Sequence, residues 1–224
     1  MLLFYVCPPK YKNAALVLAS FLFYAANDLK NLPMLLFSVM FDYLVCAKLV
    51  RSSGQMKGRK IAFWLSIIKN IGLMIAAMAM RELSAQALPL GLMVYTVPSM
   101  GYVIDVYNGD ERFDGNIVDY LLFTSFFGKL YAGPIVQYSD LKTQWESRDL
   151  SLEHVQKGLQ LYVAGLARLV ILAGGILSVQ QAVEAIPEGE KTVLSVWVLI
   201  ITSTFGLYYT LTGYCDMARG LASF

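Results

Sequence analysis

The chain carries a single histidine, three cysteines and charged residues at only 15% of its positions. Each shortage removes a class of function. Cys7, Cys46 and Cys215 form no CxxC pair and hold no zinc-type spacing to His154, so neither a disulfide framework nor a zinc site is suggested. The net charge is only +2, with basic residues scattered or confined to loops, and no basic face interleaved with aromatics exists to take nucleic acid. Repeats, heptads and low-complexity tracts are missing, as is the internal symmetry expected of an inverted-repeat transporter. Residues 1–7 are too short for a signal-peptide core, so no removable targeting segment is read.

Apolar side chains are what the chain has in quantity: 57% of 224 residues are hydrophobic, with a mean hydropathy of +0.56. This composition implies an all-α, multi-pass integral membrane protein, organised as one membrane domain over residues 1–224 with the lipid bilayer as its first partner. Runs near the roughly 20 residues that a span needs fall at 32–50, 61–80, 159–179 and 192–211, with a shorter one at 14–26. Arg51, Lys57, Arg59 and Lys60 crowd into ten polar positions, 51–60. Basic loops stay cytoplasmic, which puts Lys10 and Lys12, two crossings earlier, on the same side. Pro89, Gly91, Pro98 and Gly101 interrupt residues 88–107, so kinked or paired short helices are expected there. Residues 108–116 form a polar turn. In 139–151, a polar connecting stretch, Tyr138 and Trp145 are placed as interface anchors. Ser151 then caps a helix whose first turn holds Glu153, paired with Lys157 four residues on.

Ionisable and polar groups inside apolar runs are the candidate functional residues, because a charge at the bilayer centre costs roughly 2.5–3.5 kcal/mol on insertion scales. Lys69 with Asn70, Asp105, Asp119 and Lys129 qualify, while Asp42 is the one charge in the middle of the 32–50 run. For Lys69 and Asn70 the choices are a buried contact between helices or a substrate contact. Residues 117–138 read as two half-elements meeting at GKLYAGP. Their continuous apolar part, 120–127, is too short to cross, and Gly128, Gly133 and Pro134 free backbone groups that lipid cannot satisfy. A re-entrant turn that leaves on the side it came from is expected, with Lys129 at depth, either facing a cavity or pairing with Asp119 or Asp105. Gln137, Tyr138 and Asp140 could bond a hydroxylated acceptor, an interface role being the simpler one for Tyr138. Asp216 and Arg219, three residues apart, form an ion pair or line a substrate path.

The segments YVIDVYNGDERF and SFFGKLYAGPIVQYSDL, with LPLGLMVYT, YKNAALVLASFLFYA and the terminal YYTLTGYCDMARGLASF, resemble in order and spacing the membrane-bound O-acyltransferase family, in its alginate O-acetylation and teichoic-acid D-alanylation branch. The resemblance implies tilted transmembrane helices and re-entrant segments ringing a funnel, with a catalytic histidine at its neck. Along that path it places Asp105, Lys129, Tyr131, Gly133, Pro134, Gln137, Tyr138, Asp140, Tyr214, Asp216 and Arg219. The family's histidine lies downstream of the "GYSDMA" segment, so the chain reads as a partial fold lacking the C-terminal catalytic part. His154, at the polar start of a helix, does not inherit that role. Cys215 stands at the serine of "GYSDMA" as a small packing residue. Gly128 and Lys129 replace the proline and glutamine of "FFPQL", and Gly174 ends GLARLVILAG where the family has an acidic residue.

The activity that the resemblance implies is that of an O-acyltransferase of the cytoplasmic (inner) membrane. It would move an acetyl or similar acyl group from acyl-CoA or an acyl-carrier protein, on the cytoplasmic side, to hydroxyls of an extracytoplasmic polysaccharide or cell-envelope polymer. No bound cofactor is expected, and other subunits of an acetylation complex are implied as partners. The competing reading is a non-catalytic membrane protein, a truncated remnant or a transporter-like component.

Overall fold

The computed structural model describes residues 8, 11–52, 56–84, 88–110, 113–130, 133–146 and 152–223. All regular elements among them are helical, as apolar sequence in lipid requires, since a helix satisfies its own backbone polar groups. Four stretches, Lys12–Arg51, Met56–Leu83, Leu152–Glu184 and Val193–Ala222, are long and apolar enough to cross a membrane. The chain divides into two compact units, one of Met1–Tyr131 with Ile135–Arg148, the other of Asp149–Phe224 with Ala132–Pro134.

In the first unit α1 (Lys12–Asp28) and α2 (Leu32–Arg51) are joined by a single 3-10 turn, Leu29–Asn31. The turn is held by Asn31, which donates to the Asp28 carboxylate at 2.9 Å. Pro33 sits in the first turn of α2, where its missing amide proton costs little. Helix α3 (Met56–Ser84) starts within the stretch expected to be loop. Lys57, Arg59 and Lys60 are good helix formers, and Lys57 and Lys60 stay solvated beyond the apolar run, so polarity there ends the span without ending the helix.

Residues 88–107 give one helix, α4 (Leu92–Asn108), rather than paired short ones. Pro89 precedes it, and Gly91 is its N-cap at φ 65°, packed so tightly that a Cβ would lie 2.6 Å from the Leu130 carbonyl oxygen. Of the four interruptions, Pro98 and Gly101 lie within the helix. Gly109, at φ 88°, closes it by donating to the Asp105 carbonyl, a conformation that glycine adopts at little cost. Helix α5 (Ile117–Ser125) is capped by the Asn116 side chain, which accepts the Val118 amide at 3.1 Å. Helix α6 (Tyr138–Glu146) forms where only a polar connection was expected. Tyr138, Leu141 and Trp145, spaced three and four apart, pack onto the core, a narrow apolar stripe in a mostly polar segment. Tyr138 is therefore buried, 1% exposed, and not an interface anchor.

The second unit holds α7 (Leu152–Ala167), which passes through a π-helical stretch, Arg168–Ala173, into α8 (Gly174–Glu184). The expected Ser151 cap lies outside the described residues; the Glu153–Lys157 pair is formed, at 2.6 Å. After a 3-10 turn at Glu188–Glu190, Thr192 caps α9 (Val193–Ala222) by accepting the Ser195 amide. Helix α9 runs on through the polar GYCDMARG segment. It meets α7 antiparallel through glycines: a Cβ on Gly165 would come within 2.6 Å of the Gly213 carbonyl oxygen, and one on Gly220 within 2.7 Å of that of Gly158. Small residues at membrane helix crossings permit this backbone-to-backbone approach.

Candidate functional site

Asp42 is the hub of the first unit. Fully buried in the middle of α2, it accepts hydrogen bonds from Ser66 at 2.6 Å, Lys69 at 2.9 Å and Asn70 at 3.0 Å on α3, and from Ser99 at 2.7 Å on α4. Lys69 also bonds the Ser38 hydroxyl at 2.8 Å, and its ammonium lies 5.4 Å from the centre of the Phe41 ring. A buried carboxylate is tolerable only when paired and fully hydrogen-bonded, and here both conditions hold. Of the two readings open for Lys69 and Asn70, the structure shows the contact between helices. Ser99 extends the network to the hydroxyl of Tyr120 on α5, 2.7 Å away. The Asp42–Lys69 pairing was readable in principle, since each is the only charge in the middle of its span.

Residues 117–138 double back on themselves. Asp119, in the first turn of α5, accepts from Asn13 at the start of α1 at 2.6 Å. The Phe127 amide then reaches Ser20, two turns further along α1, at 3.0 Å, and Leu130 packs against Gly91. From there the chain returns: Tyr138 donates to Asp114 at 3.0 Å and Lys142 pairs with the same carboxylate at 2.9 Å. The segment thus leaves beside the point where it began. Burial alone would raise the Asp114 carboxyl, but hydrogen bonds from Lys142, the Asn116 amide and Tyr138, with the Lys142 charge, outweigh it and hold the carboxyl below its ordinary value.

Lys129 lies buried near the far end of this turn. Its ammonium donates to the Phe123 carbonyl and sits 4.6 Å from the Phe123 ring centre. It therefore satisfies one of the orphan carbonyls at the C-terminus of α5, where a cation complements the helix dipole. Of the alternatives open to Lys129, the pairing with Asp119 is not adopted, because Asp119 is engaged by Asn13 and Asn116. Asp105 is half-buried on α4, Gly133 and Pro134 are half-buried in irregular backbone, and Gln137 and Asp140 are exposed. Tyr131 lies outside the described residues.

In the second unit Asp216 pairs with Arg168, a partner that sequence spacing did not bring forward, and not with Arg219. Arg219 is exposed in the last turn of α9 and Tyr214 is half-buried. Arg168 opens the π-helical stretch, and such irregular turns widen a helix locally, often at functional positions. The pair sits beside the Gly165–Gly213 crossing, since the Asp216 Cβ is 3.0 Å from where a Gly165 Cβ would be. Asp216 is buried while the Arg168 side chain is 44% exposed, so part of the guanidinium faces outward from an apolar hairpin. His154 is exposed in the first turn of α7. Among the described residues no group of three acidic, cysteine or histidine side chains could hold a metal ion.

Known proteins bear on these arrangements. No family model matches the chain, and no solved structure does. A probable alginate O-acetylase AlgI of Pseudomonas fluorescens is 28% identical over 98% of this chain and 44% of its own length. One of the same name from Azotobacter vinelandii is 25% identical over 98% of this chain and 47% of its own. A peptidoglycan O-acetyltransferase of Helicobacter pylori is 27% identical over 98% of this chain and 49% of its own. The chain spans about half the length of the curated relatives it matches. With these matches along nearly all its residues and helices fit to cross a bilayer, the chain is similar to bacterial O-acetylating proteins of alginate and peptidoglycan, matched over part of their length.

Proposed function

We propose that this chain forms part of a membrane O-acetyltransferase that passes an acetyl or similar acyl group from a cytoplasmic donor to hydroxyls of an extracytoplasmic glycan. The observation that carries this is the match itself: relatives named for two different acceptors, alginate and peptidoglycan, each match 98% of the chain. What they share is ester formation on a glycan hydroxyl, so the transfer chemistry is the common element and the polymer is not. Acyl-CoA or an acyl-carrier protein is the donor on this reading, the cytoplasmic membrane the location, and further acetylation subunits the partners.

Within that activity the residues of this chain serve as scaffold and path. The doubled-back turn 117–138 and the Arg168–Asp216 pair supply polar surface at membrane depth, where ionisable groups mark substrate routes. The proton of the attacking hydroxyl needs a base with a pKa near 7 held against the acceptor, and exposed His154 is not so held. Deleting the coding segment in the source cell should lower the acetate released by mild alkali from purified envelope polymers. Unchanged acetate would overturn the proposal. Purified alone with acyl donor and polysaccharide, the 224-residue chain should give background transfer; turnover abolished by His154→Ala would put the base on this chain after all.

A further inference from the structure

The turn between α2 and α3 holds an unbalanced set of cations. No acidic residue occurs between Asp42 and Glu82, while Lys48, Arg51, Lys57, Arg59 and Lys60 fall in thirteen consecutive positions. Arg59 is used internally, donating to the Tyr107 carbonyl at 2.8 Å and stacking over its ring. The other four are exposed, and none forms an ion pair among the described residues. Their placement on the helices is regular. On α2, Phe37, Leu44, Lys48 and Arg51 follow at steps of seven, four and three, so they share one face, and Phe37 and Leu44 are 63% and 60% exposed. On α3, Lys57 is followed on its face by Ile61, Trp64 and Ile68, with Lys60 at the margin; those three apolar side chains are each more than half exposed. Helices α2 and α3 pack against each other. Both therefore present cations at the same end and an uncovered apolar shaft running away from them, with a tryptophan one turn beyond Lys60.

We infer that this face binds an anionic phospholipid, its phosphate held by Lys48, Arg51, Lys57 and Lys60 and its acyl chains laid along the Phe37–Leu44 and Ile61–Trp64–Ile68 stripes. A solvated surface patch would account for the charges alone. It would not account for two charged tips each continued by an exposed apolar stripe, which is the amphipathic profile of a phospholipid and not of a soluble anion. Juxtamembrane cations attract anionic headgroups additively, whereas a zwitterionic headgroup offers no net charge to them. Neither the cations nor the stripes depend on the acyltransferase reading.

The test is native mass spectrometry of the full chain in detergent, titrated with phosphatidylglycerol or phosphatidylcholine of identical acyl chains. Phosphatidylglycerol should be retained at least about tenfold more tightly. Replacing Lys48, Arg51, Lys57 and Lys60 together by Gln should abolish the preference, and either pair alone should reduce it to roughly threefold, as additive contributions require. The all-Arg version of the three lysines should keep it, and Lys30→Gln, in the turn before α2, with Arg81→Gln, in the last turn of α3, should leave it intact. Circular dichroism establishes that each variant is folded. Equal retention of the two lipids, equal loss in the Lys30/Arg81 variant, or capture of glycerol phosphate as strong as that of the lipid would overturn the inference.

Discussion

The two units answer the same problem, packing helices without the hydrophobic effect between them, in opposite ways. In the first, the apolar stretches are 22–39% buried within the protein and polar side chains point inward, with Asp42 bonded from two neighbouring helices; in the second, burial falls to 6–11%. There α7 and α9 touch through glycine backbones, with one ion pair at the crossing. Side-chain hydrogen bonds fix direction and register, while glycine contacts rely on close van der Waals approach. The first unit thus contains its own polar core, and the second leaves most of its apolar surface to surroundings of lipid or protein.

The comparison breaks most sharply at Asp42. Removing one partner of a buried ion pair leaves an uncompensated charge, a cost of about 3–5 kcal/mol. Asp42→Leu should destabilise the chain by that order in unfolding titrations from mild detergent into dodecyl sulfate. Adding Lys69→Leu should restore part of it, but not all, because Ser66, Asn70 and Ser99 still lose their acceptor. A double variant as unstable as the single would mean the hydroxyl and amide bonds matter more than the pair.

For the second unit the corresponding substitution is Gly165→Ala. Its methyl would sit 2.6 Å from a backbone oxygen and 2.8 Å from a backbone nitrogen, neither able to rotate away, so a loss of about 1–3 kcal/mol is expected. Gly72→Ala, on α3 with nothing within 4 Å of the new methyl, should be neutral or gain up to about 1 kcal/mol. Equal effects at the two glycines, read in the same titration, would remove the distinction between the units.

Smaller still is Asp216→Asn, at most about 1 kcal/mol, because Arg168 is 44% exposed and keeps other contacts open to it. A larger loss would show that surroundings absent from an isolated hairpin exclude water from the guanidinium.

The smallest effect concerns the tie that returns residues 117–138 to their starting point. The Asp114 carboxyl is depressed, so its stabilisation is complete above the unfolded value of about 3.9 and is lost as pH falls through the lower folded value. In a background lacking the native cysteines, single cysteines at Asn116 and Ser139 should label from the same membrane face. In a detergent-solubilised chain, acid should loosen that tie by an amount that Asp114→Asn abolishes. Labelling from opposite faces would make the stretch a true span and end the re-entrant reading.

Sequence alone determined the class of the molecule. Lipid admits little besides helices, and run length with charge placement located the long ones, although α9 continues well past the expected end at 211 to Ala222. It also exposed the odd stretch at 117–138, because eight apolar residues followed by glycine and lysine cannot cross a bilayer. Tertiary structure decided the partners. Asp42 and Lys69 lie 27 residues apart, and Arg168 and Asp216 are separated by a helix, a turn and most of another helix, so no local periodicity joins them; only the packing of helices sets their depths equal. Spacing drew Asp216 toward Arg219 because three residues is a helical neighbour distance, yet the glycine crossing brings the π-helical turn of α7 closer. Residues 92–108 stayed one helix since Gly91 and Pro89 mark its start, a distinction that depends on where the Leu130 carbonyl packs. Helix α6 emerged from a polar segment for the same reason: Tyr138, Leu141 and Trp145 gain a stripe only when a core stands ready to receive it.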